Sequence, residues 1–154
     1  MDNSVVLISC AVLFKTVRGK DVWFLVRQSE EGKFEIAKTV ARKGESSVRA
    51  SLRMIGEQGG ITGKVLEEAG RAGGVTSVNN KVLPQRHIYY LMSLVDEEGE
   101  AIGFEEFVWL EYSAAIRKLS SKRERAMLKQ ARKELAAWRK RNPELNDDGT
   151  EKVE

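Results

Sequence analysis

The chain offers one cysteine, Cys10, and one histidine, His87. A disulfide needs a second cysteine and a zinc cage needs about four Cys or His ligands, so both are excluded. No base or orienting acid can be assigned to Cys10, which reads as a small buried apolar residue rather than a nucleophile. A P-loop and a dinucleotide-binding glycine fingerprint are both absent. Chemistry is therefore left to carboxylates and cations. Glu57 follows Arg53 by four residues, the spacing of a helical ion pair that contributes ~0.3–0.5 kcal/mol. Residues 121–141 hold nine basic residues (Lys122, Arg123, Arg125, Lys129, Arg132, Lys133, Arg139, Lys140, Arg141) against Glu124 and Glu134. Clustered cations attract phosphate without reading base sequence. This segment is a candidate contact for RNA or for a protein. The plainer reading, which we favour, is an amphipathic helix with a solvated basic face.

The body that must position these groups is one domain. The chain has 154 residues, a net charge of +3, 42% hydrophobic and 32% charged residues, enough to bury a single core. From residue 143 onward one lysine faces five acids without apolar periodicity. The expected organisation is a domain over residues 1–142 and a flexible acidic tail over 143–154. The longest apolar run, residues 5–14, falls short of the ~20 residues of a membrane span. It also lacks a basic leader. No membrane partner is expected, and a cytoplasmic location is the default.

Residues 5–14 and 22–26, separated by a turn at 18–21, predict a hairpin. A second turn at 31–33 precedes a short strand at 34–36. The period then changes. Val48, Leu52 and Ile55 recur at helical spacing over 46–58, with Ser46 or Ser47 able to cap the start and Gly59-Gly60 to end it. Strand-like segments follow at 64–66, 74–78, 86–95 and 104–110, with turns at Asn79-Asn80 and at 97–99. A short helix is expected over 112–119. Ser121 and Glu124 have capping-box spacing, ahead of an apolar stripe of Leu128, Ala131, Leu135 and Trp138 that Pro143 stops. The order predicts a mixed α/β (α+β) fold with a mixed or antiparallel sheet.

Residues 38–61 contain Thr39, Glu45, Arg53, Met54, Ile55, Glu57, Gln58, Gly60 and Ile61 in a fixed register. The segment resembles the Nudix box, G-x5-E-x7-R-E-U-x-E-E-x-G-U with U a bulky aliphatic residue. Glu45, Arg53, Ile55, Glu57, Gly60 and Ile61 fall on their family positions. Thr39 stands where the first glycine belongs, Met54 where the glutamate after arginine belongs, and Gln58 where the second glutamate of the pair belongs. Lys43-Gly44-Glu45-Ser46 is typical of the approach to this helix. Ile88-Tyr89-Tyr90-Leu91 and residues 105–110 and 114–129 look like the asymmetric diadenosine tetraphosphate hydrolase branch. The likeness covers roughly residues 4–139.

The resemblance implies a curved mixed sheet between helices, with positions 54, 57 and 58 on one helix face turned to a cleft. Three carboxylates there would hold Mg²⁺ or Mn²⁺ against a polyphosphate and activate water. Met54 offers no such oxygen and Gln58 a neutral one. Glu105 or Glu106 is the remaining candidate ligand beside Glu57, and Mg or Mn binding is expected to be weak. Glu57 and Glu45 are the residual catalytic candidates, and Arg53 with Glu45 is a structural brace. Tyr89 and Tyr90 alternate, one inward into the core and one outward, where it can stack on a base. Lys81, Arg86, His87 and Lys43 are candidate phosphate contacts. The expectation is a nucleotide or nucleoside polyphosphate binder with a degenerate box, a pseudo-enzyme whose hydrolysis is absent or very slow. The alternatives are a working pyrophosphohydrolase built on Glu45, Glu57 and Glu105 or Glu106, and a non-catalytic RNA- or protein-binding module using the basic helix.

Overall fold

The structure, a computed structural model, describes residues 5–97, 99 and 102–153, the side chains of Thr76 and Val78 aside. The first hairpin pairs β1 (Val6–Val17) with β2 (Lys20–Arg27) in the register Phe14↔Trp23 and Val17↔Lys20. Its two-residue turn uses positive φ at Arg18 and Gly19, which matches the twist of antiparallel strands. Residues 34–36 do not form a strand of their own. Glu35 makes a single bridge to Val26, and the ladder begins at β3 (Ala37–Val40), antiparallel to β1.

Helix α1 (Ser47–Gly59) follows, capped by Ser46. Next come β4 (Ile61–Val78) and β5 (Lys81–Glu97), joined by Asn79 and Asn80 at φ 51° and 65°. Two short strands were expected on β4 and one over 86–95. The observed strands are longer because the ladder continues across Gly70, Gly73 and Gly74 and absorbs irregularities at Thr62/Gly63, Val65/Glu67 and Glu68/Gly70. Strand β6 (Glu106–Glu111), α2 (Tyr112–Lys118) and α3 (Lys122–Arg141) complete the chain. The turn expected at 97–99 includes Glu98, which lies outside the described residues, as do Ser4 and Glu154.

The sheet runs β4-β5-β1-β2-β6, with β3 also on β1. The β1–β5 pair is parallel and the other pairs are antiparallel, so the sheet is mixed. Both faces are covered. Along β1, Ile8, Cys10, Val12 and Phe14 enter a core shared with Leu128, Ala131 and Leu135 of α3. Ala11 and Leu13 enter a second core with Met54 and Ile55 of α1. Two buried faces are why residues 5–14 read as a continuous apolar run rather than an alternating one. Truncating Leu128 or Leu135 to alanine would cost about 2–5 kcal/mol.

Ser121 caps α3 by accepting the Glu124 amide at 3.2 Å, but the reciprocal half of the capping box is missing. The Glu124 side chain turns inward instead and is 2% exposed. It accepts the Ile36 amide at 2.8 Å and the Tyr89 hydroxyl at 3.0 Å, and lies 3.2 Å from Lys38 Nζ. The reason is local. Ile36 precedes the β3 ladder, so its buried amide needs a partner from outside the sheet. Beyond Pro143, Ser93 donates to the Asp147 carbonyl at 2.8 Å and Lys64 to that of Asp148 at 3.0 Å. Arg139 forks between Asp21 and Asp147. Among the described residues, no helix is long and apolar enough to cross a membrane.

Candidate functional site

The loop from β3 into α1 is organised by one ion pair. Arg53 donates from Nε to Glu45 Oε2 at 2.8 Å and from Nη2 to Glu45 Oε1 at 3.0 Å. Glu45 Oε1 also accepts the Arg42 amide at 3.0 Å. The Arg53 hydrogen bonds, then the Arg42 amide, hold the Glu45 carboxyl down to about 2. Both carboxylate oxygens of Glu45 are thus committed to tying the loop to α1. Gly44 turns the loop with φ +79°, a conformation side chains rarely adopt. A line of hydroxyls fixes the helix on the sheet. Ser9 meets Ser51 and the Ser47 carbonyl, and Ser47 meets the Tyr90 hydroxyl.

Thr39 lies in β3 opposite Ser9, with no positive φ, so a residue with a side chain fits there. Met54 was expected to face a cleft. It is instead 0% exposed and packs in the α1-side core with Ile55, Phe24 and Met92. The helix lies flat enough on the sheet that position 54 shares the buried face with 50, 51 and 55. Gln58 is half-buried, and the Gly103 amide donates to its carbonyl at 2.9 Å. Glu57 remains exposed at 58%, with Arg53 Nη1 at 3.7 Å and Arg42 Nη2 at 3.9 Å.

Of the two other carboxylate candidates, Glu106 is turned away from Glu57. Glu106 pairs with Arg27 at 2.9 Å. It alternates with Phe107 and so points to the α3 side of the sheet, away from α1. Glu105 is exposed, and its amide donates to the Arg27 carbonyl at 2.9 Å. Among the described residues, no three of His, Cys, Asp and Glu cluster as a metal site. The donors that α1 itself offers at the box positions therefore do not fit the divalent ion that the box resemblance implies: one carboxylate flanked by two guanidiniums, one amide, one thioether.

The tyrosines correct the expectation of one inward and one outward ring. Both are buried because both faces of the sheet are covered: Tyr89 on the α3 side, Tyr90 against α1. Burial and the Glu124 carboxylate push the Tyr89 hydroxyl well above the ordinary range. His87 is buried on the α3 side with Arg123 Nη1 at 3.5 Å from Nδ1, so it does not share a face with Glu57. Lys81, Arg86 and Lys43 are exposed. Cys10 is fully buried, and desolvation lifts its thiol to about 12.

Two groups escaped the sequence reading. Arg42 and Arg49 stand exposed beside Lys43 around the first turn of α1. On the same face, Phe24 gathers Phe104, Phe107 and Trp109 at centroid distances of 5.8, 5.8 and 4.9 Å. Lys15 Nζ lies 4.3 Å over the Trp109 ring. The signal for this cluster was the alternation of Phe107 and Trp109 along β6, opposite Val26 and Phe24 of β2.

No family model matches the chain, and no curated protein matches it. Solved structures do. A C. elegans Ap4A hydrolase in a binary complex superposes with a TM-score of 0.71 at 20% identity, covering 86% of this chain and 98% of that one. A MutT protein from Methanosarcina mazei Go1 gives 0.65 at 16% identity, covering 88% and 98%. The NUDIX domain of Shewanella oneidensis NrtR, complexed with ADP ribose, gives 0.63 at 17% identity, covering 86% and 89%. The chain has the Nudix fold.

Proposed function

We propose that this protein binds a nucleotide or nucleoside polyphosphate at the α1 face and hydrolyses it very slowly or not at all. One observation carries the reading. Of the three α1 positions where Nudix carboxylates stand, 54 is a fully buried methionine and 58 a half-buried amide, leaving Glu57 between Arg42 and Arg53. A hard divalent cation takes several oxygen ligands, commonly anionic, and here the carboxylate at 57 stands between two guanidiniums. Loss of a positioned general base alone lowers rates by about 10²–10⁴.

Binding has better support than turnover. Arg42, Lys43 and Arg49 are exposed around the α1 N-terminus, whose first turn contains no acid. A phosphate there meets both the cations and the positive end of the helix dipole. The NrtR domain of similar fold was solved with ADP ribose. The test is calorimetric titration with diadenosine tetraphosphate and with ADP-ribose, with and without Mn²⁺. Saturable binding is expected, little changed by Mn²⁺ and weakened about tenfold when Arg42 and Lys43 are both replaced by alanine, a loss of ~1.4 kcal/mol. Absence of binding to both ligands contradicts the reading.

A further inference from the structure

Of the nine basic residues of α3, four are engaged and five, Lys122, Lys129, Arg132, Lys133 and Lys140, have no carboxylate partner among the described residues. Arg123 donates to the Gly73 carbonyl, Arg125 to the Leu119 carbonyl, Arg139 to Asp21 and Asp147, and Arg141 to Glu67. These four hold the fold together. Lys129, Arg132 and Lys133 do not, although they share one face of α3. All three are exposed, and among the described residues none has a carboxylate partner. They border a cavity of about 310 Å³ whose floor includes Tyr112 and Ala136. A second cavity of about 440 Å³, reaching Lys20, Trp23 and Ser113, adjoins it across Tyr112 and Arg132. The acids of that second cavity are already engaged, Glu111 with Lys20 at 3.4 Å and Asp21 with Arg139 at 2.8 Å.

The boundary between the cavities is a cation–π contact. The Arg132 guanidinium lies 4.1 Å from the Tyr112 ring centroid. The guanidinium sits over the ring, and Arg132 remains exposed to solvent. Planar guanidinium groups stack on unpaired bases as aromatic rings do.

We propose that this groove, on the side of the sheet opposite α1, binds a single-stranded polynucleotide. A base lies on the outer face of Arg132, backed by Tyr112, and the flanking phosphates meet Lys129 and Lys133. The two cavities adjoin, so the surface continues past the first of them, which favours a strand over a free mononucleotide. The site is independent of the α1 face.

The test is fluorescence anisotropy of labelled oligouridylate and oligothymidylate titrated with the full chain, from about 50 to about 200 mM KCl. Salt-dependent binding of either strand supports the proposal, and preference for the ribo-oligomer would assign a contact to the 2′-hydroxyl. Replacing Lys129 and Lys133 with alanine lowers the log–log salt slope by about 1.4, at ~0.7 per phosphate. Arg132→Lys keeps the charge but loses the plane. It is expected to weaken binding about tenfold with the slope unchanged, the size of one lost base stack. Lys33 and Lys152, exposed outside α3, serve as the charge-matched control pair. Three results would overturn the proposal: no binding at low salt, equal loss in the control pair, or displacement by AMP as effective as by unlabelled oligomer.

Discussion

Gly103 sits against Gln58 so closely that no side chain fits between them. Its amide donates to the Gln58 carbonyl at 2.9 Å, and a Cβ at 103 would lie 2.5 Å from Gln58 Cβ. The loop into β6 thus rests on the last turn of α1, at the very position where the box resemblance places a metal-binding carboxylate. Gly60 ends the helix beside it with φ 63°, and its carbonyl accepts the Gly99 amide at 3.1 Å. Gly103→Ala must push the loop off the helix. A destabilisation of about 1–3 kcal/mol in urea unfolding is expected, with faster amide exchange at 103. Unchanged exchange would show that the contact does not hold the loop.

The burial of Met54 separates two substitutions that a cleft-facing helix would treat alike. Met54→Glu places a carboxylate in a core of Ile55, Phe24 and Met92. It is expected to cost about 3 kcal/mol or more. Gln58→Glu, at a half-buried position, is expected to stay within about 1 kcal/mol. Denaturant midpoints measured above the glutamate pKa distinguish them. Equal, small effects would mean that position 54 reaches solvent.

Glu124 joins three elements through one carboxylate: α3, the Ile36 amide before β3, and Tyr89 of β5. Glu124→Ala would leave a buried amide and a hydroxyl without their partner and the Lys38 ammonium with only Glu35, at 3.8 Å. The expected cost is about 3–5 kcal/mol. Tyr89→Phe, which removes one hydrogen bond and leaves no amide orphaned, is expected to cost about 1 kcal/mol. Similar losses for the two variants in chemical unfolding would contradict this ranking.

Burial, then the Arg123 and Lys38 charges, holds the His87 imidazole below 6.5, against a smaller upward pull from Glu124. Above 6.5 the ring is neutral in both the folded and unfolded chain and contributes nothing to pH dependence. Below it the unfolded chain takes the proton first, so stability falls as pH falls. Melting temperatures at about pH 7.5 and about pH 5.5 are expected to differ less in His87→Gln than in the parent chain. An equal difference would place the titration elsewhere.

Much of this fold was legible because its signals are local. Ser46, Gly60 and the 48/52/55 spacing define α1, and the Leu128–Trp138 stripe defines α3. The mixed sheet followed from the order of elements. What the sequence could not display was which side of the sheet each residue occupies. Tyr89 and Tyr90 are neighbours in sequence and sit in different cores, and His87 and Glu106 point away from α1. The register of the box located Glu45 and Arg53 together, but the depth of Met54 depends on how α1 lies on β1 and β4, a long-range property. Glu124 carried a capping signal, and the demand of the distant Ile36 amide redirected it.

The central claim is that the α1 face retains a ligand site without a working metal centre. The most direct measurement is release of ATP and AMP from diadenosine tetraphosphate by the full chain at saturating Mn²⁺, run beside Glu57→Gln. The account predicts rates for both proteins at or barely above the protein-free blank, with no loss on Glu57→Gln. Sustained, metal-dependent turnover by the parent chain that Glu57→Gln abolishes would contradict it.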